Sequence, residues 1–343
     1  MQQTLHANNI GFLRLLFASL VIVSHASEII DGNRSREILS GALGARTFAE
    51  LAVDGFFLLS GYLITQSYDR SSNPISFLKK RAFRIYPGYL VAVFICLALA
   101  PLTGAAIGYY GMGDLLRLTL EIVTLHGPSQ PGFIGLPYEI LNGSLWTISY
   151  EFRCYIFALL VGLVGLSRKR FAFAAISAGL LLMTMMPLDI QIPNRIAFFT
   201  GYYSESVRLF ANFSVGACFY LFRREIPFTK SLAIASTAAL VLMMFLEHFE
   251  IAAFAVFGGY LIFWFSFAVK SEVISRINSD DDVSYGVYLY GWPISGALLY
   301  FAGVQSPAMM IALSLPLAYM AGYFSWILVE RPFLRRSPKT IKT

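Results

Sequence analysis

Residues 14–25 read RLLFASLVIVSH: an arginine and a histidine bracket ten residues, eight of them apolar. The stretch lies in a longer apolar run, about 10–30, and roughly 20 such residues cross a bilayer core. In lipid the backbone must satisfy its own hydrogen bonds, so the run is read as a helix. At ~100° per residue, eleven steps give three turns plus ~20°, so Arg14 and His25 share one face, ~16 Å apart along the axis. Ionisable groups at that depth are expected to face a cavity or a partner rather than lipid.

Nine further runs follow, at about 47–68, 85–107, 144–165, 170–187, 203–222, 230–247, 251–269, 283–304 and 307–330. The 343 residues are 57% hydrophobic and 13% charged, against about a quarter charged in soluble domains. The runs do not alternate with polar residues, which argues against a membrane β-barrel. The first run is not read as a removable signal peptide, because residues 1–9 carry no Lys or Arg and Arg14 interrupts the apolar core. Cys96, Cys154 and Cys218 all fall in apolar runs and read as buried thiols, not as a disulfide framework or a zinc site. The expected fold is an all-α polytopic membrane bundle of about ten transmembrane helices. Residues 1–335 form one integral-membrane domain and 336–343 a short basic tail.

Charge fixes the expected orientation. With a cytoplasmic N-terminus, 18 of the 26 Lys and Arg fall in inner loops and the tail, and 5 in outer loops. Both termini are therefore expected in the cytoplasm. The net charge of +6 is read as this membrane pattern and not as a nucleic-acid surface. One outer connection is long, about 108–143. It contains DLLRLTLEIVTLH, a candidate interfacial helix.

Two more acids reach His25's depth: Asp54, in AVDGFFLLSGYLI, and Glu151, in SLWTISYEFRCY. Either they serve a site or they lock helices together as ion pairs. Near the inner surface runs KKRAFRIYP, with Arg81 and Arg84 three apart on one helical face. These arginines suit forked binding of phosphate, and equally an anchor to lipid headgroups. Together the features suggest a phosphorylated carrier docked at Arg14, Arg81 and Arg84, with a long arm reaching toward His25. Coenzyme A, carrying an acyl thioester, has that shape.

The chain resembles the acyltransferase-3 family of integral-membrane O-acyltransferases. The likeness rests on Arg14 and His25 with ten residues between them, DGFFLLSGYLI at 54–64, and the R-x-x-R-I-x-P pattern at Arg81, Arg84 and Pro87. It continues in SLWTISYEFRCY at 144–155, SYGVYLYGWP at 284–293 and VERPF at 329–333. The resemblance implies transfer of an acyl group, commonly acetyl from acetyl-CoA, to a hydroxyl of a carbohydrate or glycolipid. Bacterial members modify O-antigen, exopolysaccharide or lipo-oligosaccharide at the cytoplasmic (inner) membrane. It implies His25 as the catalytic residue with Arg14 as its companion, Arg81 and Arg84 on the donor side, and Glu151 at the family's acidic position. No metal is implied.

His25 acts either as general base on the acceptor hydroxyl or as a transient acyl carrier. Asp54 or Glu151 would orient it. Trp146, Ser149 and Tyr150, near Glu151 in sequence, are candidate acceptor contacts. Gly291 stands where the family often carries a histidine two residues before the proline, so a role for that histidine cannot apply here. No SGNH-type domain is expected on the chain, so a second transfer step would need an extracytoplasmic partner. The rival reading is a transporter or flippase for a glycan or lipid-linked substrate.

Overall fold

The computed structural model describes residues 8–43, 46–71, 73–105, 111–166, 169–188 and 190–336. Arg168 and nearly all of the expected basic tail lie outside the described residues. Among the described residues the chain is helical, with no strand and a lone antiparallel bridge between Pro131 and Ile140.

The long helices are α1 (Ile10–Asp31), α2 (Phe48–Asp69), α3 (Pro74–Leu99), α4 (Met112–Val123), α5 (Trp146–Leu163) and α6 (Arg170–Met185). They continue with α7 (Tyr203–Leu221), α8 (Lys230–Met243), α9 (Glu250–Phe267), α10 (Ser284–Ala302) and α11 (Pro307–Arg336). Each expected apolar run holds one of them, and α4 is the helix expected in the long connection. Among the described residues, five are long and apolar enough to cross a membrane: α1, α2, α3 continued to Thr103, α9 and α11. Helices α6 and α8 are apolar but shorter.

Local chemistry sets the ends. Asn9, buried before α1, donates to the Phe265 and Val269 carbonyls at 2.8 and 2.9 Å and ties the foot of α1 to the end of α9. At the other end Gly32 adopts φ 76° and returns its N–H to Glu28 O, the left-handed cap that favours glycine. A capping box of Thr47 and Glu50 opens α2. Helix α3 begins well before the expected 85, because Asn73 caps the Ser76 N–H at 2.7 Å and Pro74 fits the first helical turn. The basic tract Lys79–Arg84 is therefore one continuous helix with the apolar segment above it.

Packing centres on α2. A Cβ on Gly61 would overlap the Phe213 carbonyl, and one on Gly216 the Leu58 carbonyl, so α2 and α7 touch backbone to backbone. Small residues permit that approach where no hydrophobic effect drives helices together. Helix α1 packs against α2, α10 and α11. The connection after α4 is itself packed: Leu125, Phe133, Leu141 and Leu145 are fully buried. Helix α4 leaves Met112, Leu115, Leu116, Leu120 and Val123 exposed, while Glu121 turns inward to Arg117 and the Ser129 N–H. All three cysteines are free thiols.

Candidate active site

Helices α1 and α10 run side by side. Arg14 meets Asp282 just below α10, Ile22 meets Gly291, and His25 meets Trp292. A Cβ on Gly291 would stand 2.6 Å from Ile22 Cγ1. The position therefore belongs to the helix contact, and a histidine there would force α1 and α10 apart.

A cavity of about 540 Å³ opens beside α1, walled also by α2, α3, α5, α10 and the end of α11. One mouth carries Arg14, Lys80, Arg81, Arg84 and Arg335. Above them the wall is apolar, with Phe56, Phe57, Leu59, Leu63 and Ile148 among the lining residues. Tyr155 and Glu151 stand on the arginine side of it along α5, and Thr147 and Tyr288 line its other end.

Asp282 organises the mouth. Its Oδ2 accepts from Arg14 and, at 2.7 Å, from Arg84; its Oδ1 accepts from Ser284 at 2.5 Å and Asn278 at 3.0 Å. Asn278 also donates to the Gly11 carbonyl at 3.0 Å, which fixes the loop against α1. Burial works against the ionised Asp282 carboxylate, yet Arg14 and Arg84, then Ser284 and Asn278, hold its pKa far below the ordinary range. Arg84 is further flanked by Glu330 at 3.9 Å and lies over the Tyr285 and Trp326 rings. Arg81 differs: among the described residues it has no carboxylate partner. It lies over the Tyr155 ring, reaches Ser67 Oγ only at 3.5 Å, and leaves its buried Nε unsatisfied.

His25 stands above this cavity and outside its lining. Its side chain is 21% exposed, and its Nδ1 lies 2.8 Å from Glu28 Oε2. Its ring meets Trp292 edge-on, with centroids 5.1 Å apart. The other Glu28 oxygen accepts from Tyr138 at 3.0 Å and faces Arg34 at 3.6 Å. The histidine thus has a carboxylate, but neither of the two expected from sequence. Asp54 is fully buried between Arg46, at 2.5 Å, and Arg208, at 3.3 Å. Those guanidiniums hold it on the α7 side of α2. Glu151 lines the cavity and accepts from Tyr155 one turn along α5.

Of the expected residues, the cavity brings together Arg14, Arg81, Arg84 and Glu151. It does not include His25, Asp54, Trp146, Ser149 or Tyr150. Ser149 donates to the Trp146 carbonyl at 3.1 Å and Tyr150 accepts the Tyr202 N–H at 2.9 Å, so both oxygens are engaged by backbone. Trp146 is 39% exposed and packs edge-on against Tyr150. Sequence reasoning missed Glu28, although its i+3 spacing from His25 on one helix was a readable signal. It missed Asp282 because an acid in the run SDDD reads as a solvated loop. Tyr288 and Thr147 carried no signal beyond their place in the matched motifs.

Comparison with known proteins agrees with this architecture. The acyltransferase domain family matches residues 8–330, and the chain belongs to that family. It is accordingly an enzyme, an acyltransferase. An O-acetyl transferase of Shigella phage Sf6 is 26% identical over 94% of this chain and 95% of its own length. Nodulation protein 10 of Rhizobium leguminosarum bv. viciae is 25% identical over 96% of this chain and 94% of its own. No solved structure matches the chain.

Proposed function

We propose that the protein is a membrane O-acetyltransferase that moves an acetyl group from acetyl-CoA to a hydroxyl of a carbohydrate or glycolipid. The observation that carries this reading is the cavity itself: a basic mouth, an apolar shaft and a hydroxyl-lined outer end below His25. A phosphorylated nucleotide suits the mouth, a pantetheine arm the shaft, and a thioester the outer end. The O-acetyl transferase named among the relatives supports the acyl group. The carbohydrate acceptor rests on the family resemblance.

In this reading ten helices span the bacterial cytoplasmic membrane with both termini inside, as the distribution of Lys and Arg requires. Donor enters at Arg14, Arg81 and Arg84 from the cytoplasm, and acceptor approaches His25 from outside. His25 takes the acceptor's proton through Nε2. Glu28, bound to Nδ1, fixes the tautomer and stabilises the imidazolium, as a carboxylate does for an imidazole base elsewhere. The acceptor oxygen attacks the thioester carbon, an ester forms, and the thiolate leaves and takes the proton back from His25. Asp54 holds α2 to α7 through Arg208, and so shapes the site without touching the reaction.

The test is incubation of membranes holding the protein with labelled acetyl-CoA and their native glycans. Stable label in the glycan fraction, abolished by His25→Ala, is the expected result. Movement of unmodified glycan across the membrane with no label incorporated would instead favour a transporter.

A further inference from the structure

An acyl transfer also needs a hydrogen-bond donor for the oxygen that becomes negative as the thioester carbon turns tetrahedral. We infer that the Tyr288 hydroxyl is that donor, aimed by Thr147; this rests on the acyl-transfer reading above.

Tyr288 on α10 and Thr147 on α5 face each other with their oxygens 2.6 Å apart, both buried and both lining the cavity. Two hydroxyls bring two protons, and their mutual bond uses one. With Thr147 donating, the Tyr288 proton has no second protein acceptor among the described residues. With Tyr288 donating, the Thr147 proton reaches only the Ser144 carbonyl, at 3.4 Å, too long for a good O–H bond. Either way the pair has a proton to spare, and the open side is the cavity. The phenol is the stronger donor of the two.

Position agrees with the chemistry. Trp292, one turn beyond Tyr288 on α10, carries the contact to His25, and one turn rises ~6 Å. An acceptor hydroxyl within ~3 Å of the base and a thioester carbonyl beyond it would link the imidazole to the phenol. The imidazole then stands on one side of the acceptor hydroxyl and the thioester carbonyl on the other. In the step, the acceptor oxygen bonds to the carbonyl carbon while its proton passes to His25. The carbonyl oxygen takes the negative charge and the Tyr288 hydrogen bond. Collapse then breaks the C–S bond, restores the carbonyl as an ester, and returns the proton from imidazolium to the leaving thiolate. No oxidant, metal or further reactant is consumed.

The experiment uses the full-length protein with carbonyl-¹³C acetyl-CoA. Two readings are taken: the infrared stretch of the bound thioester, and label moved into membrane glycans at saturating donor. In the wild type the bound carbonyl should stretch at lower frequency than in free acetyl-CoA. Tyr288→Phe should return it toward the free value and slow transfer roughly 10²–10³-fold, with the acetyl-CoA Kd within about threefold of wild type. Thr147→Val, which leaves the phenol in place, should slow transfer less than about tenfold. A wild-type bound carbonyl unshifted from solution overturns the assignment, whether or not Tyr288→Phe folds. So does Tyr288→Phe transferring within threefold of wild type. A wild type that neither binds acetyl-CoA nor labels glycan overturns the acyl-transfer reading first, and the two failures are thereby told apart.

Discussion

Glu28 Oε2 sits 2.8 Å from His25 Nδ1, one turn further along the same helix. Because base and carboxylate ride on one rigid backbone, the tautomer of His25 is set within α1. Glu28→Gln keeps the shape but removes the charge that supports imidazolium. Transfer should fall roughly 10²–10⁴-fold, the range a positioned general base contributes, while the KM for acetyl-CoA stays within about threefold. Initial rates over a range of donor concentrations check this. A variant with the wild-type rate would show that Glu28 does not serve His25.

The two arginines of the inner motif should separate by readout. Arg84 is bound to Asp282 and flanked by Glu330, whereas Arg81 has no carboxylate in ion-pair reach among the described residues and leaves its Nε unsatisfied. Arg81→Ala should weaken acetyl-CoA binding about 10- to 100-fold, as expected on losing a charge-assisted contact of ~1.5–3 kcal/mol, with little change in melting temperature. Arg84→Ala should lower the melting temperature, because it leaves Asp282 and Glu330 without their shared cation. Titration calorimetry and thermal melts in detergent measure both. Equal effects on both quantities would contradict the division.

Asp282→Asn should weaken acetyl-CoA binding even though it makes the mouth more positive, since Arg14 and Arg84 lose the carboxylate that positions them. The sign of the pH dependence follows from the lowered pKa of Asp282. A carboxyl depressed on folding stabilises fully above its unfolded pKa, about 3.9, and loses that effect as pH falls through the folded value. The stability gap between wild type and Asp282→Asn should therefore be flat from about pH 8 to 5 and close only in stronger acid. Melts across pH read it directly. A gap that closed between pH 7 and 6 would point to another group.

Asp54 is fully buried between two guanidiniums, and truncating one partner of such a group costs about 3–5 kcal/mol. Asp54→Ala should give poor yield and a low melting temperature. A protein that is folded and stable but inactive would instead place Asp54 in the chemistry.

Gly291→Ala brings a methyl to 2.6 Å from Ile22 Cγ1 and should destabilise by ~1–3 kcal/mol through overpacking. Ile22→Ala in the same chain should restore part of that loss, as touching residues couple. Additive effects in thermal melts would argue that α1 and α10 do not meet there.

Much of this was legible in the sequence. Among the described residues each expected apolar run holds a helix, as a backbone in lipid must satisfy its own hydrogen bonds. The shared face of Arg14 and His25 followed from helical pitch alone. Depth along a span, however, says nothing of azimuth. Asp54 and Glu151 were matched to His25 by depth, yet Asp54 faces Arg208 of α7 and Glu151 faces the cavity. Where Asp54 and Glu151 point is decided by helix rotation and by arginines distant in sequence, and no periodicity encodes that; Glu28, one turn from His25 on the same helix, was readable from spacing. Asp282 shows the complementary limit: its identity was visible, but its partners lie 268 and 198 residues away.

The continuous helix from Arg14 to His25 turns spacing into a ruler. Both ends of the proposed reaction path are marked on one rod, so any tilt of α1 carries them together and leaves the span between them unchanged. One residue inserted anywhere between them would lift the imidazole ~1.5 Å and swing it ~100°, away from Trp292 and the cavity. One conservative replacement would do neither. The number of residues in that interval constrains the enzyme more tightly than their identity. In the proposed reaction the rod would also select donors by the length of the arm between phosphate and thioester, before the acyl group itself is met.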